Sequence, residues 1–289
     1  MNNIQNNQIN YKVIDNFLSA EECDKLIEDS NNFLDTESSS VIHGGRTYVS
    51  CVDDRFQELR SKSILWKNLT NKLSGNNFFY ECCEYLSIDP KKFNIIKYFN
   101  NRSTSSYELK YQKINKLALQ TLTMKQIIKY LLVRAFKKIK KIISVDIINI
   151  KKQPVEMLYD YSAAVNGYGR EIHRDSDSRL IVCLLYLSSL SKESVGGNLK
   201  LYKHNDIERS KFIAQPQDKD CQLIDTIEPK KGRLVIFENT EKSYHSVDKI
   251  ENNTTTRHFV CANFTILKGK NPQMRNSINS LKTPFHMYY

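Results

Sequence analysis

The sequence predicts a mainly β protein, a sandwich or barrel supported by helices in its N-terminal half, and three observations carry that expectation. From Val155 on, seven short runs rich in β-branched and aromatic residues follow one another with turns and no helical pattern between them. Near the N-terminus, Ser19 with Glu22 three residues later forms a capping box that opens a helix directly behind a short strand. Between these regions Ile128, Leu131, Leu132, Ala135, Phe136, Ile139 and Ile143 recur at three- and four-residue steps, the period of an amphipathic helix.

Taken in order, residues 1–10 are a polar tail and 11–17 alternate as a strand running into the capped helix with Cys23, Leu26 and Ile27. Residues 31–108 are mixed: HGGRTYVS at 43–50 reads as a turn into a strand, and WKNLTNKLSG at 66–75 followed by FFYECCEYL fits either helix or strand. The strand candidates are 155–161, 179–187, 197–203, 222–227, 232–238, 243–250 and 258–267. The expected organisation is a support region at 11–152, which includes the basic helix, a β core at 153–268 and a C-terminal tail at 269–289.

At 289 residues the chain can bury a sizeable core. A hydrophobic content of 40%, with 9 Gly and 6 Pro, excludes collagenous, elastomeric and wholly disordered classes. No apolar run approaches the roughly 18 residues that span a bilayer, and MNNIQNNQIN lacks the apolar stretch of a signal peptide. The expectation is an intracellular, cytoplasmic protein without a transmembrane segment. Its seven cysteines are odd in number and contain no CxxC pair, so they read as reduced thiols rather than a disulfide framework or zinc ribbon. The net charge of +11 is localised: 109–152 holds twelve basic residues against Asp146 alone. That segment is either a solvated face over an apolar stripe or a docking site for nucleic acid or an anionic surface, and no nucleic-acid-binding motif accompanies it.

His173 and Asp175 form an H-x-D pair, and in extended backbone residues i and i+2 point to one side, so both can reach one ion. His245 lies 72 residues downstream, where an all-β fold can return the chain beside them. Two imidazoles and a carboxylate make a facial triad with open positions, suited to non-heme Fe(II) and its oxygen chemistry. Arg257 follows twelve residues later. The turn-rich ENNTT between the two strands predicts an antiparallel hairpin with positions 245 and 257 nearly opposite. A guanidinium there would capture the distal carboxylate of a chelating 2-oxo dicarboxylate, which is 2-oxoglutarate. His258, next along the strand, should face away from the site.

Residues 155–267 resemble the double-stranded β-helix of the Fe(II)/2-oxoglutarate-dependent oxygenases, in the prolyl 4-hydroxylase-like branch. The resemblance is carried by HRD at 173–175, LLYL at 184–187, GGNLKLY at 196–202, PKKGRLVIF at 229–237, YHSV at 244–247 and Arg257, with YKVIDNFLSAEECDKLI at 11–27 similar to the opening strand and helix. It implies a jelly-roll, cupin-like core buttressed by N-terminal helices, with His173, Asp175 and His245 as metal ligands and Arg257 on the distal carboxylate. It also implies that Tyr186 shares that carboxylate, and that Tyr161 contacts the cosubstrate or lines its pocket, with Tyr159 and Tyr168 as competitors. The implied reaction hydroxylates a protein or small-molecule substrate, foremost a prolyl or other peptidyl side chain. Fe(II), 2-oxoglutarate and O2 are consumed or bound, ascorbate serves as reductant, and succinate and CO2 are released. Asp175 argues against halogenation, because halogenating members lack that carboxylate. Two rivals remain at this stage: an oxidative demethylase of nucleic acid, and a catalytically silent β-helix protein docking a partner through its basic helix.

Overall fold

Strands β1 (Tyr11–Ile14), β2 (Ser40–Ile42), β3 (Arg46–Ser50), β4 (Phe93–Ile95), β5 (Gln153–Ala164), β7 (Arg179–Tyr186), β10 (Leu234–Glu238) and β12 (Arg257–Ile266) form one sheet of eight, in the order β1-β10-β7-β12-β5-β3-β2 with β4 also on β5. Strands β6 (Arg170–His173), β8 (Leu199–His204), β9 (Cys221–Ile227) and β11 (Ser243–Val247) form a second sheet of four, in the order β6-β11-β8-β9. The computed structural model that gives this arrangement describes residues 9–31, 33, 40–42, 45–51, 53–95, 152–210 and 213–267. The expected basic helix, residues 1–8 of the polar tail and the C-terminal tail lie outside the described residues.

From β5 onward the chain alternates between the two sheets except at β8 and β9, which follow one another in the smaller one, and this winding is the double-stranded β-helix. Every pairing in the two sheets is antiparallel except β4 with β5. Val182, Leu184 and Tyr186 of β7, Val235 and Phe237 of β10, Leu199 and Leu201 of β8 and Phe259 of β12 fill the space between the sheets. The larger sheet is buried on its other face as well, which is why β7 reads as a continuous apolar run rather than alternating.

Helices α1 (Ala20–Ser30), α2 (Asp54–Lys62), α3 (Ile64–Leu73) and α4 (Asn76–Tyr85) supply that second covering. Ser19 caps α1 through the reciprocal bonds of a capping box. On α3, Trp66 is fully buried and its indole N–H donates to the Leu26 carbonyl at 2.9 Å. Its ring meets Phe56 of α2 at 5.6 Å and Tyr161 of β5 at 5.0 Å. Residues 66–75 and the FFYECCEYL run that follows are therefore helical: Phe78, Phe79, Cys82 and Cys83 share one buried face at helical spacing, with Phe79 packed on Phe264 at 4.9 Å. All seven cysteines are free thiols. No helix among the described residues is long and apolar enough to cross a membrane.

One expected pairing is corrected. β11 and β12 do not form a hairpin: β11 pairs with β6 and β8, whereas β12 pairs with β5 and β7 in the other sheet. The linker after Val247 crosses between layers, held by the Ile250 carbonyl accepting from Gly167 and by the bridge of Val195 to Glu251. β11 and β12 are both largely buried, and each completes its hydrogen bonding within a different layer rather than in one shared ribbon.

Candidate metal and oxyanion site

Register brings the two histidines together. His245 on β11 lies directly opposite His173 on β6, so both rings leave the sheet on one face, with centroids 4.1 Å apart. Asp175 stands two residues beyond His173, in the loop that follows β6. Between them Arg174 points the other way and is anchored by donating to the carbonyls of Ser210 at 2.7 Å and Glu241 at 3.0 Å. Asn239 also pins the loop, donating to the carbonyls of Ser176 and Arg179.

The three side chains are buried and present donor atoms that lie within 4.8 Å of one another. His173 Nε2 is 4.0 Å from Asp175 Oδ1, and His245 Nε2 is 3.8 Å from Asp175 Oδ2. Nδ1 of His173 donates to the Glu171 carbonyl at 2.9 Å, which leaves the Nε2 lone pair for an ion. Burial, foremost, then His245 and Arg170 push His173 well below its ordinary value, and burial brings His245 down to about 4. Both rings therefore stay neutral and able to ligate at pH 7. Burial alone would raise the Asp175 carboxyl, but Arg179 first, then His245 and His173, hold it well below the usual carboxylate range. Arg179 Nη1 donates to Asp175 Oδ1 at 2.7 Å, while Oδ2 is buried with no hydrogen-bond partner among the described residues. A buried carboxylate oxygen without a partner, beside two neutral imidazoles, fits a divalent cation such as Fe(II).

Arg257, at the start of β12, lines the same cavity from the opposite sheet. It is 1% exposed, and its Nη1 donates to the Gly197 carbonyl at 2.8 Å. Gly196 and Gly197 both have positive φ, and a Cβ on Gly196 would lie 2.0 Å from the Lys249 carbonyl oxygen, so the turn that offers this carbonyl requires glycine. Arg257 Nε and the Tyr186 hydroxyl are both buried without a hydrogen-bond partner among the described residues, and the guanidinium lies 4.9 Å from the Tyr186 ring centroid. Tyr186 thus sits beneath Arg257 on the inner face, and the unpartnered Nε of Arg257, which lines the cavity, fits a carboxylate placed at that end.

Tyr161 is corrected. It lies on the outer face of β5, fully buried against Trp66, with its hydroxyl 2.8 Å from His258 Nδ1. Strand alternation decides this: Asp160 and Arg257 face the cavity, so Tyr161 and His258 face the helices. Tyr159 is likewise packed on Phe56, while Tyr168 is the competitor that lines the cavity.

Four further cavity residues escape a sequence reading. Arg46 of β3 pairs with Asp160 of β5 at 2.9 Å and also bonds Ser162. Arg179 holds Asp175, and Arg170 enters from β6. The available signal was a charged residue inside an apolar strand run, such as Asp160 within VEMLYDYSAA, because an unpaired charge there would be costly.

A family model described as the 2OG-Fe(II) oxygenase superfamily matches residues 158–265, the span that contains all three donors and Arg257. Among solved structures, the chain is similar to a Pseudomonas putida prolyl-4-hydroxylase (14% identity, TM-score 0.41, covering 91% of this chain and 95% of that one). It is also similar to the viral collagen prolyl hydroxylase of Paramecium Bursaria Chlorella virus-1 in its 2OG complex (14%, 0.42, 89% and 97%). A third is the Trichoplax adhaerens prolyl hydroxylase in complex with a hypoxia inducible factor peptide fragment (14%, 0.40, 91% and 86%). No curated protein matches the chain.

Proposed function

We propose, for a chain whose residues 158–265 carry a domain of the 2OG-Fe(II) oxygenase superfamily, that it hydroxylates a prolyl or other peptidyl side chain. The observation that carries this reading is the meeting of His173, Asp175 and His245 with an unpartnered Asp175 oxygen, in a cavity that Arg257 also lines. In the balanced reaction an acceptor C–H bond, O2 and 2-oxoglutarate become an alcohol, succinate and CO2.

Fe(II) with 2-oxoglutarate supplies the activation of O2 when both are bound, and ascorbate would keep the iron ferrous. The chain's own residues hold and orient. Nε2 of His173, Nε2 of His245 and Oδ2 of Asp175 would hold the ion, and Arg179 keeps Asp175 charged and turned. Arg257, with the Tyr186 hydroxyl, would grip the distal carboxylate of 2-oxoglutarate, a bidentate, charge-assisted contact that fixes the cosubstrate's reach. Val182, Leu184 and Phe259 supply the apolar part of the cavity wall.

Purified protein with Fe(II), ascorbate and 2-oxoglutarate should release succinate slowly without acceptor and faster with acceptor peptides. His245→Ala should abolish metal binding and succinate release together. Arg257→Ala should retain the metal and raise the 2-oxoglutarate KM on the order of 10- to 100-fold, the value of a lost charged hydrogen bond. An unchanged KM would remove the distal-carboxylate assignment.

A further inference from the structure

Arg170 is brought into the cavity by an irregularity in β6. The register between β11 and β6 shifts between His245 and Val247, where His173 and Arg170 are the partners, so three residue steps on β6 face two on β11. Without that bulge, Arg170 and His173 would point to opposite faces; with it, both line the cavity. Bulges commonly re-aim a side chain next to a working site.

Its guanidinium faces Asp175 electrostatically but carries no direct ion pair of its own. Arg46 is paired with Asp160, Arg179 with Asp175, and Arg257 is set on the Gly197 carbonyl beside Tyr186. Arg170 makes no hydrogen bond or ion pair among the described residues. The cavity's four guanidiniums face two carboxylates, Asp160 and Asp175. A ferrous ion and a 2-oxoglutarate dianion cancel each other, so two positive charges are left over in a recess where desolvation strengthens them. Arg170 also lines the open groove beside the cavity, where Lys200 is already paired with Asp248 at 2.8 Å and the rim also holds Glu171, Asp218 and Lys249, so among the groove's charges Arg170 is the one that also reaches the cavity. It therefore stands on the route between that groove and the metal.

We infer that Arg170 is the specificity residue for the acceptor and that the acceptor is an acidic peptide, one that presents an Asp or Glu carboxylate to this guanidinium beside the bond to be oxidised. The inference rests on the oxygenase reading and deepens it. A planar fork suits a carboxylate bidentately, and an amide in its place would leave a partly buried charge unpaired. A single recessed guanidinium fits one side chain, whereas a nucleic acid needs a row of cations along its backbone.

The test uses the full chain loaded with Mn(II) and N-oxalylglycine, an inert analogue of 2-oxoglutarate, and two pools of decapeptides that differ only in Asp and Glu against Asn and Gln. Titration should show the acidic pool binding about ten-fold or more tighter than the amide pool, the scale of a charged hydrogen bond. In Arg170→Met that ratio should fall to about two-fold or less, and Arg170→Lys should restore part of it. Free aspartate and glutamate form a further arm, and binding them as tightly as the peptides would overturn the peptide assignment. Equal binding of both pools, an unchanged ratio in Arg170→Met, or an Arg170-dependent preference for a mixed-sequence oligonucleotide would also overturn the inference. So would a loss of N-oxalylglycine binding in Arg170→Met as large as in Arg257→Met, since Arg170 would then serve the cosubstrate. Acceptor-free succinate release by the Fe(II) enzyme is scored separately: its absence defeats the oxygenase reading, and its presence without acid–amide discrimination defeats only this inference.

Discussion

Asp175 carries two demands on its two oxygens. Oδ1 is taken by Arg179 at 2.7 Å, and Oδ2 is left idle beside His173 and His245. A carboxylate so divided keeps its charge, because the guanidinium offsets the cost of burial, and keeps its direction, because one oxygen is fixed. Arg179→Met should therefore weaken Mn(II) binding on the order of 10- to 100-fold, as loss of an outer partner does at other metal sites, while Arg179→Lys retains part of the affinity. Titration of the protein with Mn(II), followed by electron paramagnetic resonance, measures this directly. Equal affinity in Arg179→Met and the wild type would mean that the ion pair is structural only.

At the scale of elements, the period of two decides which side chains can act. Tyr161 and His258 meet on the helix-facing side of the larger sheet, and Asp160, Tyr168 and Arg257 meet on the other. Tyr161→Phe should cost about 1 kcal/mol of stability, for one lost hydrogen bond, and leave the 2-oxoglutarate KM at its wild-type value. Tyr186→Phe should raise that KM. Chemical denaturation and initial-rate kinetics on the two variants separate the roles, and a raised KM in Tyr161→Phe would contradict the placement. The same alternation explains what could be read from sequence. His173 and Asp175 were legible because i and i+2 suffice to aim them, and the strands were legible because their apolar runs are local. The pairing of β11 with β6 and β8, rather than with β12, was not legible, since a short linker favours a hairpin and only packing against the second layer overrules it. Arg170 was hidden for a related reason: its direction depends on a bulge that no residue pattern announces. Tyr161 was assigned by the family resemblance alone, when the face of the strand it occupies was what mattered.

For the molecule as a whole, three buried imidazoles set the response to acid. Burial brings His245 and His258 down to about 4, and burial, with His245 and Arg170, takes His173 well below its usual range. The unfolded chain binds protons at these histidines from about pH 6.5, whereas the folded chain does so only near pH 4 for His245 and His258, so stability is complete above 6.5 and is lost as pH falls toward 4. Burial raises Asp160 and Glu238, and these act in the opposite sense, favouring the fold as their carboxyls protonate nearer their ordinary range. The upper part of the window therefore belongs to the histidines. Between pH 6.5 and 5.5 each should contribute a loss of about 1 kcal/mol, the slope approaching about 1.4 kcal/mol per pH unit only below that window, so the metal-free protein should melt several degrees lower at pH 5.5 than at pH 7. His258→Gln should reduce that slope by about one proton, since this ring lies outside the metal site. Saturating Mn(II) should lift the whole curve by a nearly constant increment over the same range, because folded imidazoles that are already neutral give the ion no proton to compete with. Ordinary histidine ligands would instead lose metal steeply below pH 6.5. Thermal melts at stepped pH with and without Mn(II) distinguish the two, and curves that converge before pH 5.5 would show that His173 and His245 are not held neutral in the fold.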